Sequence, residues 1–240
     1  MQIYLVLSMV LIMKTIIQKL ISTSLKTLMY IMQLLSKVII KNNFSKKLGL
    51  PVNRKIPMIG MVTRLVEAKG LDLVTRILDE LLEYENVQFV ILGTGDRQYE
   101  DWFKGLVWRY PKKVSANIFF NNELAHQIYA ASDLFLMPSQ YEPCGIGQLI
   151  ALRYGTVPIV RATGGLKDTV EAYNNYTQTG NGFSFNNYNA HELLFSIKRA
   201  IDGIADDRKH IHLVENAMTA DYSWEESAKQ YKELYNSLKA

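Results

Sequence analysis

Apolar residues in this chain fall into short unbroken runs separated by stretches with helical spacing, a pattern that begins only near residue 51. Ile56–Val62 is a continuous run that ends at polar Thr63-Arg64, and Leu71–Tyr84 then repeats its apolar residues at three- and four-residue intervals. The two textures keep alternating. Val87–Leu92, Val114–Phe120, Leu134–Met137 and Thr156–Val160 predict strands, and Tyr99–Tyr110, Leu124–Ala131 and Gly145–Tyr154 predict the helices between them. A further helix opens near Leu166, and Ala190–Ile204 and Trp224–Leu238 close the chain. Strands apolar on both faces, alternating with helices, imply a parallel sheet covered on both sides. Right-handed crossovers make it an α/β, doubly wound, Rossmann-like domain.

Residues 1–48 have a different texture. They are rich in Ile, Leu, Met, Lys, Ser and Thr, hold five of the nine Met, and contain no Gly or Pro. Without turn residues they show no strand–helix alternation, and their apolar residues do not settle into a 3.6-residue period. A secretory leader lacks the basic start and the small-residue cleavage site. A basic amphipathic helix on a membrane lacks the periodicity. The expected division is therefore an aberrant leader over 1–48 and one domain over 49–240.

Charge sharpens the division. The formal net charge is +4, yet residues 1–50 hold seven Lys and no acid, leaving 20 basic against 23 acidic residues in the rest. A mildly acidic body carries no nucleic-acid footprint. Cys144 is the single cysteine, which excludes an internal disulfide and points to a reducing, cytoplasmic setting. No run of 18 apolar residues occurs, so no membrane partner is expected.

In a doubly wound sheet, ligands bind beyond the carboxyl ends of the strands, so the polar segments that follow each strand are the candidates. Arg64 and Lys69, five apart after the first strand, suit a diphosphate, one as a fork and one as a point charge; a solvated loop pair is the plainer alternative. Thr163-Gly164-Gly165-Leu166 opens a helix, where free amides favour an anion, unless the glycines serve only a tight turn. Glu142 stands where it can accept from sugar hydroxyls or simply cap a helix. Cys144 is either an activated thiol or a small buried packing residue. His126 reads as structural. His210-x-His212 has too few neighbouring ligands for a metal, so no metal site is expected. Gly93-x-Gly95 is mainly a turn.

Three blocks carry a resemblance: Thr63-Arg-Leu-Val-Glu-Ala-Lys-Gly-Leu-Asp72, Met137-Pro-Ser-Gln-Tyr-Glu-Pro-Cys-Gly145 and Thr163-Gly-Gly-Leu-Lys-Asp-Thr-Val170. Ala125-His126, Ala130-x-x-Asp133 and Tyr222-Ser-Trp224 agree in order and spacing. Over residues 46–240 the chain resembles the C-terminal domain of bacterial glycogen synthases and plant starch synthases. Many broader relatives carry a second Glu eight positions after the first; here that position is Ile150, as suits the synthase branch. Gln140-Tyr141 stands where Arg-Phe is frequent.

The resemblance implies the C-terminal half of a GT-B glycosyltransferase. Such enzymes transfer glucose from ADP-glucose, the donor substrate, to the non-reducing end of an α-1,4-glucan, with retention and without a cofactor or metal. It implies that Arg64 and Lys69 hold the diphosphate and that Glu142, Cys144 and Gly145 border the glucose. It further implies that Thr163, Gly164, Gly165 and Leu166 bind phosphate or sugar oxygens, and that Phe120 stacks on the base. A sucrose-type or lipid-sugar transferase of the same fold, or a non-catalytic ADP-sugar-binding module, is the alternative. The Lys-x-Gly-Gly loop and active-site His of the family's other domain do not occur in residues 1–48, so the chain reads as a fragment, inactive by itself. Residues 8–21, and on to about Lys41, read as genuine synthase sequence translated out of frame. Codons legal for Ser8–Ile21, regrouped from each third base, spell Asn-Gly-Ile-Asp-Tyr-Glu-Asn-Tyr-Asn-Pro-Lys-Thr-Asp, the family's segment in order.

Overall fold

The computed structural model describes residues 25–238 of the chain. Strands β1 (Met58–Val62), β2 (Gln88–Leu92), β3 (Val114–Asn117), β4 (Leu134–Met137), β5 (Val157–Arg161) and β6 (Phe183–Phe185) form one parallel sheet. Their order is β3-β2-β1-β4-β5-β6. The direction of winding reverses between β1 and β4, which makes the crevice above those two strands the expected ligand position.

The helices are α1 (Leu25–Lys47), α2 (Leu71–Tyr84), α3 (Arg97–Arg109), α4 (Asn122–Ala131), α5 (Gly147–Arg153), α6 (Gly164–Thr169), α7 (Ala190–Ala205), α8 (Asp207–Thr219) and α9 (Trp224–Ser237). Alternate strand residues face opposite layers, as the two-residue period requires. Ile59, Met61, Phe89, Ile91, Leu134 and Leu136 are buried with α2, α3 and α7. Met58, Val90 and Leu92 face α4 and α1, while Phe135 packs with Tyr129 and Ala151. Gly60 lets α4 lie close on β1, since a Cβ there would stand 2.3 Å from Ser132 Oγ.

Helix α1 runs up to the division expected at residue 48 and packs onto the domain that follows it. Phe44 and Leu50 are buried in one cluster with Met58, Val90 and Ile128, so the packed unit runs through that point. The helix buries Lys37, Lys41, Phe44 and Ser45 while Met32, Ile39 and Ile40 lie exposed. Polar residues thus occupy much of the inward face, which is why no apolar period was legible there. Asp133 Oδ2 accepts from Lys41 Nζ at 2.6 Å and from the Met58 amide at 2.7 Å. Lys37 donates to the Tyr154 carbonyl at 3.2 Å and to Thr156 Oγ1. The segment 8–21 assigned to a shifted frame lies outside the described residues.

The remaining differences are local. Strand β6 and helix α8 were not predicted, β3 ends at Asn117 rather than Phe120, and α5 starts at Gly147 rather than Gly145.

Candidate functional site

A cavity of about 240 Å³ opens above β1 and β4, at the reversal of strand order; Arg64, Lys69, Tyr129, Ser139, Glu142 and Gly147 are among its lining residues. Arg64 stands two residues beyond the end of β1. Lys69 ends a single 3-10 turn, Glu67–Lys69, which Gly70 terminates at φ 76°. A side chain on Gly70 would place its Cβ 2.2 Å from the Pro138 carbonyl. Glycine therefore lets the Lys69 turn rest against the chain leaving β4, and the Gln140 amide fastens the two segments by donating to Ala68 O at 3.0 Å.

That closeness sets the electrostatics. Lys69 Nζ donates to Glu142 Oε2 at 2.5 Å, and Ser139 Oγ donates to the same oxygen at 3.2 Å. Glu142 is buried and paired with a cation, and among the described residues its side chain caps no helix end. Arg161, at the end of β5, braces the loop from below. Its Nε donates to Ser139 O at 2.9 Å, its Nη2 donates to Gln140 O, and its guanidinium lies 5.7 Å from the Tyr188 ring centroid. No role had been read for Arg161 itself; its signal was its place at a strand's carboxyl end.

The structure brings Arg64, Lys69, Glu142 and Gly145 to one cavity. The other expected residues stand outside its lining. Phe120 is 90% exposed beyond β3. Cys144 is exposed, which removes the buried-packing alternative. Thr163–Leu166 seat the neighbouring loop: a Cβ on Gly164, at φ 46°, would stand 2.1 Å from Glu142 O, and one on Gly165 would stand 2.3 Å from Cys144 O. The Gly165 amide donates to Pro143 O at 3.0 Å and the Leu166 amide to Thr163 O at 3.1 Å. The Thr163 amide donates to Arg161 O at 2.9 Å, so three of the four backbone amides of this segment are already engaged, and the Gly-Gly pair serves close backbone packing.

Tyr129, Ile146 and Gly147 line the cavity without having been anticipated. Ile146 and Gly147 continue the Glu-Pro-Cys-Gly loop into α5. Tyr129 comes from the sheet-facing side of a helix, outside any post-strand loop. Burial raises its phenol to about 12. His126 Nδ1 lies 3.2 Å from Tyr154 Oη, one helical turn from Tyr129. His210 is half-buried on α8, its Nε2 out of reach of solvent and without a hydrogen-bond partner among the described residues. Among those residues no three His, Cys, Asp or Glu side chains are grouped to hold a metal ion, and no helix is long and apolar enough to cross a membrane.

Comparison with known proteins sets this geometry in context. The family model for glycosyl transferases group 1 matches residues 41–218. Glycogen synthase from Clostridium novyi (strain NT) is 57% identical over 198 residues, which cover 82% of this chain and 41% of that protein. Glycogen synthase from Clostridium botulinum (strain Eklund 17B / Type B) is 59% identical with the same coverage. The chain therefore spans about two-fifths of the length of the curated relatives it matches. Among solved structures, the catalytic domain of Starch Synthase IV from Arabidopsis thaliana, bound to ADP and acarbose, aligns with TM-score 0.75 and 38% identity, covering 84% of this chain and 42% of that one. Sucrose-phosphate synthase from Thermosynechococcus elongatus aligns with TM-score 0.60 and 25% identity, covering 81% and 48%.

Proposed function

Because the chain belongs to the group 1 glycosyl transferases, we propose that it supplies the donor-binding half of a glycogen synthase. In the assembled enzyme, glucose passes from ADP-glucose to the non-reducing end of an α-1,4-glucan with retention of configuration. The observation that carries this reading is the meeting of Arg64, Lys69 and Glu142 in one cavity at the β1/β4 crevice. The bond between glucosyl C1 and the diphosphate breaks, its electron pair stays on the phosphate oxygen, and C1 joins the acceptor hydroxyl. The proton of that hydroxyl leaves with the diphosphate. Arg64 and Lys69 stabilise the charge that grows on the departing group, and losing one such contact costs roughly a hundred- to a thousand-fold in rate.

The choice of ADP follows the starch synthase neighbour, which was solved with ADP. Ile150, where many sucrose-type and lipid-sugar transferases carry a second Glu, favours the synthase branch. The single cysteine fits a cytoplasmic setting. These 240 residues alone should bind the donor and not elongate glucan, since the chain matches about two-fifths of its relatives' length.

Calorimetric titration of ADP against the parent and an Arg64→Ala/Lys69→Ala double variant tests the site. Weak saturable binding that disappears in the variant is expected, and equal affinity in both would remove the phosphate role. Incubation with labelled ADP-glucose and glycogen tests the second point. Polymer labelling at about 1 per second or faster would show that these residues suffice.

A further inference from the structure

Tyr129 occupies an unusual place in the cavity. Helix α4 carries it onto the sheet, where its ring lies 4.7 Å from that of Phe135 and stacks on Tyr154 at 6.5 Å with 9° between planes. The ring is fixed by this packing and only 6% of the residue is exposed. The hydroxyl end reaches the cavity beside the start of α5, 3.3 Å from where a Cβ on Gly147 would stand. Among the described residues no side chain or backbone group bonds to that hydroxyl. The ring is buried while the hydroxyl faces the cavity, so the phenol is free to bond a ligand that enters there.

The walls indicate the kind of partner. Arg64 and Lys69 are cationic donors, Ser139 is committed to Glu142, and Glu142 itself is tied to Lys69. Two cations stand in the lining against one carboxylate that is already paired, which suits an anion bearing several oxygens. Its volume of about 240 Å³ admits a diphosphate group rather than an entire nucleotide sugar. A phenol raised by burial to about 12 keeps its proton at physiological pH and so donates.

We propose that Tyr129 is a ligand-binding residue of this site, its hydroxyl donating to an oxygen of the diphosphate that Arg64 and Lys69 hold; this rests on the donor-binding reading above. Tyr129 then also restricts the pose of the donor. The phosphates must settle between the loop after β1 and the start of α5, over the α4 side of the crevice. The position corresponding to the second Glu of other transferases, Ile150, packs against the same aromatic cluster, so the hydroxyl of Tyr129 is the polar group on that side.

Tyr129→Phe removes one oxygen and keeps the ring, and thermal melting monitored by circular dichroism verifies the fold. Inorganic pyrophosphate and ADP are each titrated into the parent and the variant by calorimetry. Both ligands should weaken roughly tenfold, the usual scale for one hydrogen bond to a charged acceptor. Unchanged pyrophosphate affinity overturns the assignment, whether or not ADP weakens, because a loss confined to ADP would put the hydroxyl on the nucleoside. If the parent binds ADP and the Phe variant binds it equally, only the role of Tyr129 falls. If the parent binds neither ligand, the donor-site reading falls and Tyr129 with it.

Discussion

The ammonium of Lys69 sits 2.5 Å from Oε2 of Glu142, joining the segment after β1 to the segment after β4 across the reversal of the sheet. The cation assigned to the donor's diphosphate thus carries a counter-charge supplied by the residue assigned to its sugar. A diphosphate entering the cavity competes with a carboxylate for that ammonium.

Glu142→Gln should therefore tighten inorganic pyrophosphate binding about two- to fivefold, the scale of a partly exposed ion pair. The gain should shrink as salt is raised, because the repulsion being removed is itself screened. Calorimetric titration at two ionic strengths checks this, and weaker binding in the variant would mean that the carboxylate holds Lys69 in its working position.

Gly164→Ala should be among the more damaging changes at this edge. It forces a side chain into the left-handed region at φ 46° and sets its Cβ 2.1 Å from Glu142 O. A loss of roughly 1–3 kcal/mol is expected, together with weaker pyrophosphate binding as the Glu142 loop is pushed aside. Urea unfolding and titration of the same sample measure both.

Lys37→Met should stabilise the protein. Burial, the largest influence, holds the Lys37 ammonium down from 10.5 to about 7; Asp133 opposes this and Lys41 adds to it. Between those pH values the unfolded chain binds the proton that the folded chain has released, so this group's contribution to stability rises with pH from about 7 to 10.5 and is flat below. His210, also held down by burial, acts in the separate window below 6.5. The Met variant should gain roughly 1–3 kcal/mol near neutral pH and lose part of the rise in melting temperature between pH 7 and 9.5. Melting curves across that range decide it.

We expect the gene to read, from the third base of the Ser8 codon onward, Asn-Gly-Ile-Asp-Tyr-Glu-Asn-Tyr-Asn-Pro-Lys-Thr-Asp. Met9-Val10 forces the Gly and Met13-Lys14 forces the Glu, whatever the synonymous choices. Sequencing the DNA over Ser8–Ile21 settles the matter, and a stretch that cannot be so regrouped ends the idea.

The core of the fold was legible because continuous apolar runs such as Val87–Leu92 and clear helical spacing such as Leu71–Tyr84 report burial directly. What escaped has physical causes. β6 is three residues long, too short to show a period. α8 follows α7 with only Asp206 between them, capping the one and starting the other. α1 hides its contacts because Lys37 and Lys41 face inward, and the partner of Lys41 stands 92 residues away. At the site, post-strand loops led to Arg64, Lys69 and Glu142. Tyr129 was invisible to that rule, since a residue one turn inside a helix gives no loop signal, and whether its hydroxyl finds a partner is decided only in three dimensions.

Asp133 gathers Lys41 and the Met58 amide on one oxygen, so the helix ahead of the sheet supplies the counter-ion to a carboxylate seated beneath the first strand. Removing one member of such a pair leaves a bare charge in the interior, a loss of about 3–5 kcal/mol, which is comparable with the whole stability of many domains. The smallest autonomous folding unit in this chain is accordingly expected to start ahead of Lys41. A version trimmed to the first strand would keep every residue of the candidate site and still fail to hold it together.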